Sequence, residues 1–203
     1  MLKVGLTGGI ASGKSTVLRL LSECGAQTLS ADGLAHRLME PGEAVYKAVV
    51  EHFGREILNL DGSICRPKLA ALAFAGRIEE LNALVHPAVL ESQEKWFSGA
   101  AAADPHAVCV VEAALLLEAS GQKGLDKLIA VTCGDEEERI RRFAGRTGTA
   151  MDSARAEVSR RLAAQMPEAE KAKLADYVID NTGDERKLTL AVRELWRELR
   201  RLA

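Results

Sequence analysis

The chain has 203 residues, 47% of them apolar and only 4% aromatic, enough for one α/β domain with an aliphatic core and a small inserted subdomain. Its formal net charge is −2, so bulk charge gives no reason to expect nucleic acid or an acidic membrane as a partner. No run of 18 or more apolar residues occurs and nothing signal-like opens the chain, so the expectation is a cytoplasmic protein without a membrane span.

Residues 2–7 read as a short buried strand, followed by a glycine-rich turn over 8–13. Residues 15–23 read as a helix with Val17, Leu18, Leu20 and Leu21 on its inner side and Gly25 as its stop. A second short strand is expected over 26–29. The stretch 32–103 is mostly helical in pattern, punctuated by Pro41-Gly42, Asp61-Gly62 and Pro67, and reads as an insertion. The run 99–105, four alanines between Gly99 and Asp104-Pro105, reads as a surface connection. Three apolar runs, 108–111, 128–132 and 177–179, read as strands of a parallel sheet. Charged helical segments fill 135–173. The chain closes on an amphipathic helix with Leu188, Val192, Leu195 and Leu199 on one face. Strands alternating with helices argue a parallel sheet covered on both faces. The four cysteines, Cys24, Cys65, Cys109 and Cys133, form no CxxC pair, so free thiols are expected rather than a zinc or redox site.

Gly8-Gly9-Ile10-Ala11-Ser12-Gly13-Lys14-Ser15 fits G-x-x-x-x-G-K-[ST] in full, after a strand and at the start of a helix. In such a P-loop, backbone N–H groups turn inward around phosphates and the helix N-terminus adds partial positive charge. The cradle therefore spans Gly9, Ile10, Ala11, Ser12, Gly13, Lys14, Ser15 and Thr16, with a nucleoside triphosphate as its ligand, and the loop by itself suits a kinase, an ATPase or a GTPase switch alike. Lys14 reaches the β- and γ-phosphates, and Ser15 offers its hydroxyl to Mg²⁺. No guanine-reading N-K-x-D occurs, and Asp180-Asn181-Thr182-Gly183, which matches D-x-x-G, lies too late in the chain for a switch.

Asp32 follows the second strand at the sheet edge where ligands gather in open α/β folds. It reads either as a general base for an attacking hydroxyl or as the N-cap of the next helix. Glu112 ends the third strand and reads either as an acid that positions Mg²⁺ through water or as a helix N-terminal acid. The stretch 139–161 holds seven arginines against two acids, a local charge of +5. It reads as a lid that closes on the transferred phosphoryl group, or as a solvated helix face.

The ordered set of strings beyond the loop resembles the dephospho-CoA kinase family along nearly the whole chain. The opening 5–16 is similar to the family's GLTGGIGSGKST, and Ala31-Asp32 to the end of its DAD motif. Pro41-Gly42, Phe53-Gly54, Asp61-Gly62 and Arg66 follow in the family's order, then His86-Pro87 and Leu115-Leu116 with Glu118. Arg161-Leu162-Ala163-Ala164-Gln165 and Ala175-Asp176-Tyr177-Val178-Ile179-Asp180-Asn181 resemble its closing motifs. The resemblance implies transfer of the ATP γ-phosphate to the ribose 3′-hydroxyl of dephospho-CoA. It implies a three-layer α/β P-loop kinase fold: a nucleotide-binding core (1–31, 106–138, 174–203), a helical acceptor-binding insertion (32–105) and an arginine-bearing lid (139–173). It implies Asp32 as the catalytic base and Arg146 as a lid arginine beside Lys14, with Asp32, His86 and Arg66 on the acceptor side. No nucleic-acid or membrane partner is expected, and the chain is expected to work as a monomer or weak homo-oligomer. Ala11, Ser30, Ala114 and Leu117 depart from the family pattern and bear on efficiency and acceptor fit. Two other classes share the P-loop: a kinase for another small molecule such as a nucleoside, and a non-catalytic nucleotide switch.

Overall fold

The computed structural model describes residues 1–117 and 123–203. Five strands, β1 (Leu2–Gly8), β2 (Gln27–Ser30), β3 (Val108–Glu112), β4 (Lys127–Thr132) and β5 (Tyr177–Asp180), form one sheet in the order β2-β3-β1-β4-β5. Every pairing is parallel, with Leu6 opposite Glu112 and Ile129, and Ser30 opposite Glu112. The central strands are apolar on both sides because both sides are covered. On one face, Val4, Leu6, Val110, Ile129 and Val131 pack against α1 (Lys14–Glu23) and the last helix, α9 (Glu185–Leu202). On the other, Leu128 packs with Leu116 and Leu117. Leu188, Val192, Leu195 and Leu199 are the buried stripe of α9, as the spacing predicts.

The chain divides into two compact units, one of residues 1–30 and 100–203, the other of residues 31–99. The second unit holds α2 (Ala31–Leu38), α3 (Ala44–Phe53), a 3₁₀ turn (Arg55–Ile57), α4 (Arg66–Leu72), a π-helical turn (Ala73–Arg77) and most of α5 (Ile78–Ala103). An isolated bridge joins Leu58 to Ile64 around Asp61, whose Oδ1 accepts from the Ser63 N–H and hydroxyl. The run 99–103, expected as a connection, is instead the last turn of α5. Four alanines in a row are strong helix formers, and Ala100 is buried, so small size rather than flexibility is what the run supplies. In the first unit, α6 (Glu136–Thr147), α7 (Met151–Ala163) and α8 (Glu168–Leu174) lie between β4 and β5 in sequence. Asp135 and Asp184 cap α6 and α9 by accepting the N–H of Glu138 and Lys187. Among the described residues no helix is long and apolar enough to cross a membrane, and the four cysteines are free.

Candidate active site

The loop between β1 and α1 is built by close approach. A Cβ on Gly8 would lie 2.5 Å from the Val131 carbonyl oxygen, so the turn out of β1 admits only glycine. Gly13 is the left-handed N-cap of α1 (φ 96°, ψ 16°), and a Cβ there would lie 2.0 Å from Asn181 Nδ2. The α1 register starts from Gly13, whose carbonyl accepts from Thr16 and Val17. Lys14 is buried, and its ammonium donates to the carbonyls of Gly8 (3.0 Å) and Gly9 (3.1 Å). The charge is thus held over the loop, where a triphosphate would meet it.

Ala11, Gly13, Lys14, Ser15, Thr16 and Arg19 form one side of a cleft of about 490 Å³, with Arg142, Arg146, Asn181 and Gly183 among the residues opposite. A loop of amide donors, one lysine and three arginines facing one cleft make a receptor for polyanions. The arginine-rich stretch is not one surface. Arg139 is buried and bonded to the Ile10 carbonyl, so it is an anchor of the loop and not part of a lid face. Arg155 pairs with Glu137, and Arg160 and Arg161 pair with Glu157. Arg142 and Arg146, four apart on α6, are the two that reach the cleft. Arg142 donates to Glu138 Oε1 (2.8 Å) and to the Asn181 carbonyl (3.0 Å). Arg141 and Arg142 beside Glu138 hold its carboxyl below the usual carboxylate range, so it stays charged and orients them. Arg146 lies over the Phe143 ring, 5.6 Å from its centroid, with its head exposed.

Glu112 is buried at the C-terminal end of β3, where Ser30 Oγ donates to its Oε2 at 3.1 Å. Serine in place of an acid at position 30 therefore supplies a donor to Glu112 instead of a second carboxylate. For Mg²⁺, the first unit offers the exposed Ser15 hydroxyl and this carboxylate, both hard oxygen donors. Among the described residues no group of three or more His, Cys, Asp or Glu could hold a metal by itself. A hydroxyl and one carboxylate fit a cation carried in on nucleotide phosphates. Thr7 Oγ1 and Ser12 Oγ, both buried at the loop, have no hydrogen-bond partner among the described residues.

In the second unit, Asp32 is exposed in the first turn of α2. His36, four residues on, and Arg66 line a cavity of about 510 Å³ with apolar walls that include Leu69, Phe74, Ile78 and Leu81. Burial pushes the His36 imidazole below its ordinary pKa and the Arg66 charge adds to this, while Asp32 opposes it. His86 is exposed on α5 and does not line that cavity. Ala114 gives its carbonyl to the buried Lys171 ammonium (2.9 Å), and Leu117 is buried beside Leu116. Glu118 lies outside the described residues.

Three contributors escaped sequence reasoning. Asn181 donates from Nδ2 to the Ser12 carbonyl at 2.8 Å, from the string set aside as an accidental D-x-x-G. Gln165 Oε1 accepts from the Ile10 N–H at 3.2 Å. Arg139 was indistinguishable from its neighbours in a charge run. Asn181 and Gln165 each end a string that matched the family, which was their one visible signal.

A family model described as dephospho-CoA kinase matches residues 2–186. A dephospho-CoA kinase of Corynebacterium efficiens is 43% identical over 188 residues, which cover 90% of each chain. A crystal structure from Thermus thermophilus is similar with a TM-score of 0.79 at 35% identity, over 98% of this chain and 97% of that one. The structure of a dephospho-CoA kinase from Campylobacter jejuni is similar in fold, with a TM-score of 0.68 at 21% identity, over 98% and 96%.

Proposed function

The chain belongs to the dephospho-CoA kinase family, and from that premise we propose that it transfers the γ-phosphoryl group of ATP to the ribose 3′-hydroxyl of dephospho-CoA, giving coenzyme A and ADP. The observation that carries the chemistry is the single cleft onto which the loop, Lys14, Arg142 and Arg146 converge. Within residues 9–16, the backbone amides other than that of Ile10, which Gln165 takes up, hold the triphosphate, and the Lys14 ammonium pairs with the β- and γ-phosphate oxygens. Arg146, with Arg142 beside it, meets the charge that spreads over the transferred group and its leaving oxygen. Asp32 accepts the proton of the attacking hydroxyl. The Ser15 hydroxyl would hold magnesium, with Glu112 acting through water. When bound, the cation would supply positive charge beside the nucleotide phosphates.

On the acceptor side, Arg66 and His36 offer polar contacts at the rim of an apolar cavity, which suits a ligand with anionic groups on a long aliphatic–amide arm. Arg66 has the support of that cavity. His86 lies outside it and is supported by the family resemblance alone. A cytoplasmic setting, with thiols free and magnesium abundant, belongs to the same reading.

The test is ADP release from Mg-ATP with dephospho-CoA, adenosine or shikimate as acceptor. Stimulation by dephospho-CoA alone is expected. Stimulation by adenosine or shikimate instead would assign the chain to another small-molecule kinase, and ATP binding without acceptor-dependent turnover would make it a switch.

A further inference from the structure

Both backbone polar groups of Ile10, at the tip of the phosphate loop, are taken up by side chains from beyond the loop. Its N–H donates to Gln165 Oε1 at 3.2 Å, and its carbonyl accepts from Arg139 Nη1 at 2.9 Å. Neither group is left to face a phosphate. The Ile10 side chain is buried with Ile140, Phe143, Ala154 and Val158, so the tip is also packed into the α6–α7 pair. Arg139 is itself fixed, donating from Nη2 to the Cys133 carbonyl (2.9 Å) and to Glu168 Oε1 (2.5 Å). Glu168 Oε2 accepts the Cys133 N–H at 3.2 Å, which closes the network.

The next residue, Ala11, has a φ of 54°, and among the described residues it is the one non-glycine with positive φ. The left-handed conformation disfavours a residue with a Cβ by a factor of about 5 to 30, the equivalent of ~1–2 kcal/mol. Such a conformation persists where the surroundings over-determine it. The clamp on Ile10 is immediately before it in the chain.

We propose that Gln165 is a positioning residue for phosphoryl transfer, acting through Ile10, with Arg139 as the second arm of the clamp, to hold Ala11 left-handed and aim the amides that follow at the ATP phosphates. The inference rests on the reading of residues 9–16 as the ATP cradle. Without the Gln165 acceptor, the Gly9–Ile10 peptide is released, Ile10 pivots about its one remaining hold on Arg139, and Ala11 relaxes to a right-handed or extended conformation. The amides after it then leave the phosphates. A glycine at position 11 feels no comparable pull, so it makes the clamp largely dispensable.

The experiment is a double-mutant cycle between Gln165→Leu and Ala11→Gly, read as the ATP Kd by calorimetry, kcat, KM for dephospho-CoA, and Tm. Gln165→Leu alone is expected to weaken ATP about tenfold, within the range for a lost acceptor to a part-buried N–H, and to leave KM for dephospho-CoA in place. In the Ala11→Gly background the same substitution is expected to cost about twofold or less, while Tm falls by the same amount in both backgrounds. Equal factors in the two backgrounds, or an unchanged ATP Kd in folded Gln165→Leu, would overturn the inference and leave the ATP reading intact. An unsubstituted chain that does not bind ATP would overturn both. If Gln165→Leu fails to fold, Glu168→Gln, which loosens Arg139 without changing shape, carries the same cycle: background dependence supports the clamp, and its absence refutes it.

Discussion

Replacing Asn181 by leucine tests how the far end of the phosphate loop is held. Asn181 is buried, and its side-chain amide donates to the Ser12 carbonyl at 2.8 Å. Ser12 is fully buried, so water cannot replace the lost donor. A buried acceptor left unpaired costs about 1–3 kcal/mol, which corresponds to a factor of roughly 5 to 150. A leucine methyl would also press on Gly13, where the space beside the α-carbon is already filled by Asn181 Nδ2. The backbone contacts of residue 181, its N–H to the Thr132 carbonyl and its carbonyl from Arg142, survive the substitution, so β5 should stay in register. The loss therefore falls on the loop. KM for ATP should rise by roughly 5 to 150-fold while KM for dephospho-CoA changes little. Tm should drop by about 2–12 °C, since ~1 kcal/mol moves a domain of this size by about 2–4 °C. Steady-state kinetics with each substrate varied in turn, alongside a thermal melt, reads both. A folded Asn181→Leu protein with unchanged KM for ATP would refute the claim that this amide shapes the cradle.

Lys14→Ala should lower kcat/KM for ATP on the order of 10²-fold or more, since it removes a fixed charge over the β- and γ-phosphates; single-turnover assays would register this, and normal turnover would sink the cradle assignment. Asp32→Asn should lower kcat by about 10²–10⁴ with ATP affinity retained by calorimetry, whereas a fall in Tm alone would mark Asp32 as a structural residue of α2. His36 should titrate below its ordinary value of 6.5, with Arg66→Gln moving the midpoint up and Asp32→Asn moving it down, as followed by NMR of the imidazole. Because the folded pKa is the depressed one, the unfolded chain takes up the proton first as pH falls below about 6.5. The stability owed to neutral His36 is present above that pH and is lost through the folded midpoint. His36→Gln should flatten that part of the stability–pH curve, and an unaltered curve would mean that His36 titrates alike in the folded and unfolded chain.

The sheet was legible because its strands are continuous apolar runs, a pattern that only burial on both faces explains. The loop was legible because a phosphate cradle needs glycine, lysine and a hydroxyl at fixed spacing. The stripe of α9 could be counted off at helical period. What was not legible depends on contacts across many residues. Arg139 and Arg142 are three apart in one charge run, yet one is a buried anchor and the other lines the cleft, and only packing of Ile10 against α6 and α7 separates them. Asn181 looked accidental because its partner is 169 residues away. The 99–103 run failed for a different reason. Glycine and alanine in series suggest a linker, but alanine also favours helix, and a buried position decides for helix.

The most direct test is the identity of the product formed from Mg-ATP and dephospho-CoA by the purified chain, with phosphorus NMR reporting which hydroxyl carries the new phosphate. A new phosphomonoester on the ribose 3′-oxygen, formed one for one with ADP and abolished by Lys14→Ala, is the predicted result. ADP without a phosphorylated acceptor, or phosphate on a different hydroxyl, would contradict it.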